Sequence, residues 1–336
     1  MISRRSITIG AFLGFVGVGT YFGSDQGWIK VPGFSDADLR LVAITQIASH
    51  PGIDAVRSGF IDELEVQGFT NGETIVLDQT NANGEFANAQ ALARKIAEAN
   101  PSVVFAISTP SSQTVKQAIE GSEVPMVFGA VTDPVGAGLV DALDSPTSQI
   151  TGTTDRWPVR DQMELLRTLV PSAKKIGMLH NPAEANSKSS MELSRDAASD
   201  VGFTVVEVAV SSSAEVPAAA RSLIGRVDAI YIPADNTVIS AIASVVSVAD
   251  ENQIPLMPGD TSNIEIGGFG TIGHSYYAVG QRSGAQAASI LKGESPRNIP
   301  IGSSTVYEYY FNTKSAKKQG VLIPKQLLDK ATKIYD

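Results

Sequence analysis

The residues best able to do chemistry lie in Ser108-Thr109-Pro110-Ser111-Ser112-Gln113, where four hydroxyls surround a proline at the end of an apolar run. Two kinds of chemistry suit them. As nucleophiles they need a base and an orienting acid. The sequence offers neither a G-x-S-x-G elbow nor a Ser-x-x-Lys beside a credible partner set. As a cradle they need only a helix start. With Thr109 as N-cap and Pro110 at the first helical position, the proline forfeits no hydrogen bond. The N–H groups of Ser111, Ser112 and Gln113 are then open donors next to the hydroxyls, which makes a seat for a carboxylate. Plain capping, which needs one hydroxyl, is the simpler alternative.

Asp235 and Asp260 carry the complementary charge, because each follows a short β-rich run and offers acceptors to an ammonium group. Either is equally suited to cap a helix. A carboxylate seat facing an ammonium seat describes an α-amino acid. Other polar residues at strand ends line up for the same cleft: Gln46, Ser49 and His50, then Thr132 and Asp133, then Asn181, Glu184, Asn186 and Ser187, and finally Asn236. Turn punctuation is the alternative for each of them. His50, His180 and His274 are the only histidines and form no short-spaced pair, so no catalytic residue, metal site or cofactor is expected. Gly268 to Gly273 matches G-x-G-x-x-G, but it lies late in the chain with no helix directly after it, and reads as a flexible crossing.

The elements that must position these residues alternate. "LRLVAITQI", "ETIVLDQT", "SVVFAIS" and "VPMVFGAV" are separated by helices over 52–67, 85–99 and 111–120, the first marked by Val56, Phe60 and Leu64 at fourfold spacing. "KKIGMLH", "FTVVEVAV", "VDAIYIP" and "IPLMPG" repeat the scheme. Such alternation predicts an α/β fold of parallel sheets with helices on both faces. "FAISTPSSQTV" is echoed by "AIYIPADNTV", which pairs the turn of Thr109 with the turn of Asp235 in two lobes of shared design. Ligands of open parallel sheets bind beyond the carboxyl ends of the strands, so a cleft between the lobes is implied.

The 336 residues, 43% of them hydrophobic, suffice for two such lobes. A formal net charge of -9, with no basic run beyond Lys317-Lys318, argues against nucleic acid as a partner. Ser3-Arg4-Arg5 precedes an uncharged apolar stretch from Ile7 to Phe22, the layout of an export signal of the twin-arginine or ordinary secretory type. The stretch is shorter than the ~20 residues of a spanning helix and no clear cleavage site follows, so it is read as a removable signal or an uncleaved anchor. The sequence has no cysteine, which rules out a disulfide framework and a lipid on cysteine.

Taken together, "ISTPSSQ", "VPMVFGAVTDPVGAGLV", "LHNPAEANS", "YIPADNTV", "PGD" and "YYAVGQRSGAQAASILKGESPRNIPI" resemble the periplasmic substrate-binding proteins of ABC transporters, specifically the group for tryptophan, tyrosine and phenylalanine uptake. The resemblance covers about Leu39 to Tyr335. It implies a type I periplasmic-binding fold: residues 1–38 as signal or anchor and linker, 39–152 plus 272–305 as lobe I, and 153–271 plus 306–336 as lobe II. Three crossings would lie near 151–155, 267–273 and 303–308. Ser108, Thr109, Ser111 and Ser112 would then hold a ligand carboxylate, with Asp235 and Asp260 facing the amine. Phe86, Phe128 and Trp157 are candidates to contact a ring, core packing being the alternative. A monomer is expected, in the periplasm, closing on a small amino acid-like ligand and docking on an ABC permease in the inner membrane, without enzymatic activity. The alternative is a ligand-sensing subunit of a membrane signalling system. Unlike many relatives, the chain has no lipoprotein cysteine.

Overall fold

The computed structural model describes residues 39–144, 149–303 and 306–336. The export signal expected within 1–38 lies outside the described residues, as do two residues of the third crossing. Strand and helix alternate as β1 (Arg40–Gln46), α1 (Pro51–Val66), β2 (Ile75–Asn81), α2 (Phe86–Ala99), β3 (Val103–Ile107), α3 (Thr109–Ala118), β4 (Met126–Val131) and β5 (Ile150–Thr154). A second series follows with α4 (Val159–Leu169), β6 (Lys175–His180), α5 (Ala185–Asp200), β7 (Thr204–Ala209), α6 (Val216–Arg221), β8 (Ala229–Ile232), α7 (Asn236–Ser240), α8 (Ile242–Asn252) and β9 (Leu256–Pro258). The chain ends with β10 (Gly270–Gly273), α9 (Tyr276–Leu291), β11 (Gly302–Ser303), β12 (Glu308–Asn312), α10 (Thr313–Lys318), α11 (Lys325–Leu328) and β13 (Ala331–Tyr335).

The strands β3 and β4 are apolar throughout and wholly buried, because helices cover both faces of their sheet. Val56, Phe60 and Leu64 form the buried stripe of α1, as their spacing predicts, and Phe60 stacks on Phe105 of β3. The first sheet runs β11-β5-β4-β3-β1-β2 and the second β7-β6-β8-β9, with every neighbouring pair parallel. Both reverse direction beside their first strand, so a crevice opens between the ends of β1 and β3, and another between the ends of β6 and β8. This shared reversal is the structural form of the echo between the two turns. A third sheet, β10-β12-β13, adds an antiparallel pair that strand alternation had not suggested. It adjoins the second sheet, since the Phe269 N–H donates to the Leu256 carbonyl.

Two details correct the reading of the crossings. β5 stays paired with β4 through Thr154, two residues past the expected lobe limit at 152. The last four residues of the G-x-G-x-x-G segment form the buried strand β10, and a Cβ on its Gly270 would lie 2.4 Å from the Phe311 ring. Glycine matters again where α1 and α9 pack side by side in the same direction. A Cβ on Gly59 would lie 2.1 Å from the Tyr277 carbonyl oxygen, and one on Gly280 would lie 2.0 Å from that of Val56. No helix among the described residues is long and apolar enough to cross a membrane.

Candidate functional site

The turn after β3 is built around an unusual backbone. Ser108 caps α3 with φ 80° and ψ 161°, a region populated essentially by glycine. The cap is therefore Ser108 and not Thr109, which moves every donor by one position. The Ser112 N–H makes the first helical bond, to the Ser108 carbonyl at 3.1 Å, and the Ser112 hydroxyl lies 2.8 Å from that same oxygen and 3.2 Å from the Ala106 carbonyl. The open N–H groups are then those of Thr109 and Ser111, with Pro110 between them where no donor is needed. The hydroxyls of Ser108, Thr109 and Ser111 are buried and have no partner among the described residues. A fully buried polar atom without a partner costs stability unless something arrives to bind it.

The turn after β8 is the reverse. Asp235 is 1% exposed and caps α7, taking the Val238 N–H on Oδ1 at 2.8 Å. Its Oδ2 accepts the Ser187 hydroxyl at 2.7 Å and the Asn181 N–H. Glu184 in turn accepts the N–H groups and side chains of Asn236 and Thr237. Burial, with Glu184 adding repulsion, pushes the Asp235 carboxyl up to about 7.

Asp260 follows β9 and differs from Asp235 in one respect. Its Oδ1 accepts the N–H and the hydroxyl of Ser262, whereas its buried Oδ2 has no partner. That oxygen points at the start of α1, where a Cβ on Gly52 would lie 2.8 Å away. The positive end of a 16-residue helix thus faces the acid. Burial raises the Asp260 carboxyl, opposed by His50 and Ser262. His50 is itself lowered by burial, against the pull of Asp260 and of the Asn236 side chain beside it.

A third acid comes from the first crossing. Asp155 accepts the Thr132 hydroxyl at 3.2 Å on Oδ1 and the Tyr276 hydroxyl at 3.3 Å on Oδ2, and burial pushes it up to about 6. Tyr276 accepts the Trp157 indole N–H at 2.8 Å. These groups line a narrow, partly open pocket with a cavity volume of about 20 Å³. Its wall takes His50 and Ile53 from the start of α1, Thr109 from α3, Ala130 and Thr132 from the end of β4, and Asp155 and Trp157 from the crossing. The second sheet contributes Asn186, Ala234, Asp235, Asn236, Ile239 and Asp260, and α9 contributes Tyr276. Three carboxylates face the cavity, and the only lining residue able to carry positive charge is His50.

Of the residues predicted from sequence, His50, Thr109, Thr132, Trp157, Asn186, Asp235, Asn236 and Asp260 meet at this cavity, whereas Ser108, Ser111 and Ser112 belong to the turn of Thr109 without lining it. Others do not reach it. Gln46 bonds to Ala48, Asp54 and Arg57, and Ser49 is exposed and bonded to Asp54. Asp133 accepts the Gly136 N–H at 2.9 Å and, across the cleft, the Ser189 hydroxyl of α5 at 3.3 Å. Phe86 is 52% exposed at the start of α2, and Phe128 is wholly buried in the core of the first sheet. Asp155 and Tyr276 were missed. Asp155 closes the expected crossing "TGTTD", yet nothing local shows which side chain 121 positions later will bond to it.

The family model described as ABC transporter substrate binding protein matches residues 41–335. The tyrosine-binding protein of Clostridioides difficile strain R20291 is 36% identical over 276 residues, 82% of this chain and 79% of that protein. Among solved structures, an ABC domain in complex with L-Trp from Streptococcus pneumonia is 30% identical with a TM-score of 0.84, covering 88% of this chain and all (100%) of that one. The ligand-free, open structure of a substrate binding protein with adhesive properties from Clostridium difficile is 36% identical, covers 88% of this chain and 99% of that one, and has a TM-score of 0.66. The backbone is thus nearer to the L-Trp complex than to the open structure, although sequence identity runs the other way. A narrow pocket lined by residues of both sheets accords with that order.

Proposed function

The chain belongs to the ABC transporter substrate binding proteins, with the type I periplasmic-binding fold, and from that premise we propose that it captures an aromatic α-amino acid by closure of two lobes. It is a binding protein and not an enzyme. The observation that carries the reading is the charge of the cavity wall: three buried carboxylates without a paired cation, opposite a helix start with unpartnered hydroxyls. A zwitterion answers both halves. Its carboxylate would sit on the N–H groups of Thr109 and Ser111 and the hydroxyls of Ser108, Thr109 and Ser111, with its ammonium on the side of Asp260. Trp157 and Tyr276 supply flat walls for a ring. The names of the relatives, one tyrosine-binding and one holding L-Trp, support the aromatic class.

The lobes of this proposal are 39–154 plus 272–305, and 155–271 plus 306–336. The protein would be exported to the periplasm and, once loaded there, would deliver its ligand to an ABC permease in the inner membrane.

The test is thermal unfolding with L-tyrosine, L-tryptophan and L-phenylalanine at two pH values. Asp155 and Asp235 have folded pKa values near 6 and 7, above the unfolded value of 3.8, so between those limits the folded state binds more protons. Stability of the unliganded protein therefore falls as pH rises through that window. An ammonium ligand offsets the loss. The rise in Tm should be larger at about pH 7.5 than at about pH 5, corresponding to about 2.7 kcal/mol at a hundredfold excess over Kd. No rise with any of the three at either pH would remove the proposal.

A further inference from the structure

We propose that Asp155, on the first crossing, is a direct ligand of the substrate ammonium together with Asp260, and that Asp235 is not. The inference rests on the amino acid reading above and assigns its charged subsite. Three observations carry it. The first is acceptor capacity. Asp235 already receives the Asn181 N–H, the Val238 N–H and the Ser187 hydroxyl, all of which shape its own turn. A carboxylate has about four lone-pair sites. Asp260 keeps one oxygen outside hydrogen-bond geometry, with only the Asn263 side chain beside it, and each oxygen of Asp155 receives one hydroxyl.

The second is the direction of those hydroxyls. Tyr276 accepts the Trp157 indole N–H, leaving its own proton for Asp155 Oδ2, and the Thr132 hydroxyl turns its proton to Oδ1. Two donors on two oxygens favour the ionised form, against the stronger opposing effect of burial, in an acid that is 5% exposed and has no Lys or Arg bonded to it among the described residues. A cation is the complement still to be supplied. The third is position. Asp155 and Asp260 both line the cavity, and both raise the proton affinity of the Tyr276 hydroxyl by their charge, so the two carboxylates converge on that ring. An ammonium between them would join the crossing to the end of β9. The group that distinguishes an amino acid from a simple carboxylic acid would then act on the segment where the lobes pivot.

The experiment compares two probes on the purified full chain by calorimetry: L-tyrosine, and 3-(4-hydroxyphenyl)propionate, which has the same ring and carboxylate but no amine. The wild type should prefer L-tyrosine. In Asp155→Asn that preference should fall by about a hundredfold, the scale expected when one partner of a buried charge pair is neutralised, while the affinity for the propionate holds or rises. Asp260→Asn should behave in the same way. Asp235→Asn should leave the preference intact. If Asp155→Asn weakens both probes equally, Asp155 only shapes the crossing and the proposal is overturned. If the wild type binds neither L-tyrosine, L-tryptophan nor L-phenylalanine, it is the amino acid reading that fails instead. A crystal structure of the wild type with a bound aromatic amino acid decides the point without any variant. An amine nitrogen within about 3.2 Å of an Asp155 oxygen supports the assignment, and one bonded to Asp235 in its place overturns it.

Discussion

The turns after β3 and β8 occupy equivalent places in their sheets, at the point where strand order reverses, and they use their polar residues in opposite ways. At Ser108 to Ser112 the backbone is strained, and three of the four hydroxyls are buried without partners. At Asp235 to Thr237 both carboxylate oxygens are engaged, and Glu184 pins the two residues that follow. One turn has affinity held in reserve, at a cost to stability. The other is a finished structural joint whose remaining contribution to the cavity is shape and charge. Equivalence in topology therefore does not carry equivalence in role, and the hydrogen-bond inventory tells the two apart where burial does not, since Asp235 is as buried as the hydroxyls of Ser108, Thr109 and Ser111.

The contrast can be broken by exchanging what each turn loses. Asp235→Ala should cost the fold most, about 3 kcal/mol in urea denaturation, because it removes a cap and strands the Asn181 N–H and the Ser187 hydroxyl. A stability loss under about 1 kcal/mol with abolished ligand binding would show that this turn too is a binding element. Thr109→Val should do the opposite: about a tenfold loss of amino acid affinity with stability unchanged or slightly raised, since the hydroxyl it deletes has no partner in the fold. Full retention of affinity would place the carboxylate elsewhere. Ser108→Gly should have the smallest effect, a gain of about 1 kcal/mol from relief of the backbone less the added chain entropy of glycine. A loss in thermal or chemical unfolding would mean that the Ser108 side chain holds the turn.

The architecture was legible because it depends on short-range pattern. The apolar run Val103–Ile107 and the fourfold spacing in α1 each announce an element, and the order of elements then dictates parallel sheets and a cleft at their ends. The site was less so, and each gap has a physical reason. Proline favours the first helical position, which points to Thr109 as the N-cap, and nothing in the composition of the turn shows that Ser108 adopts a glycine conformation. Phe128 seemed as good a ring contact as Trp157 because a strand covered on both faces carries no alternation to say which way a side chain points. Two of the three donors on Asp235 come from another segment, and those on Asp155 come from the residue after β4 and from α9. Pairings at such separations are decided by the fold as a whole.

The glycine-lined contact between α1 and α9 affects the cost of capture. His50 and Ile53 at the start of one helix, and Tyr276 at the start of the other, are fixed to each other by backbone touching backbone at Gly59 and Gly280. That section of the wall is preassembled before any substrate arrives. Binding then has to order the relation between two rigid pieces and few individual side chains, which keeps the entropy lost on association small. A single methyl group at either glycine, outside the cavity wall, would force the helices apart. It should register as weaker affinity with an unfavourable entropy, even though every residue that touches the ligand is unchanged.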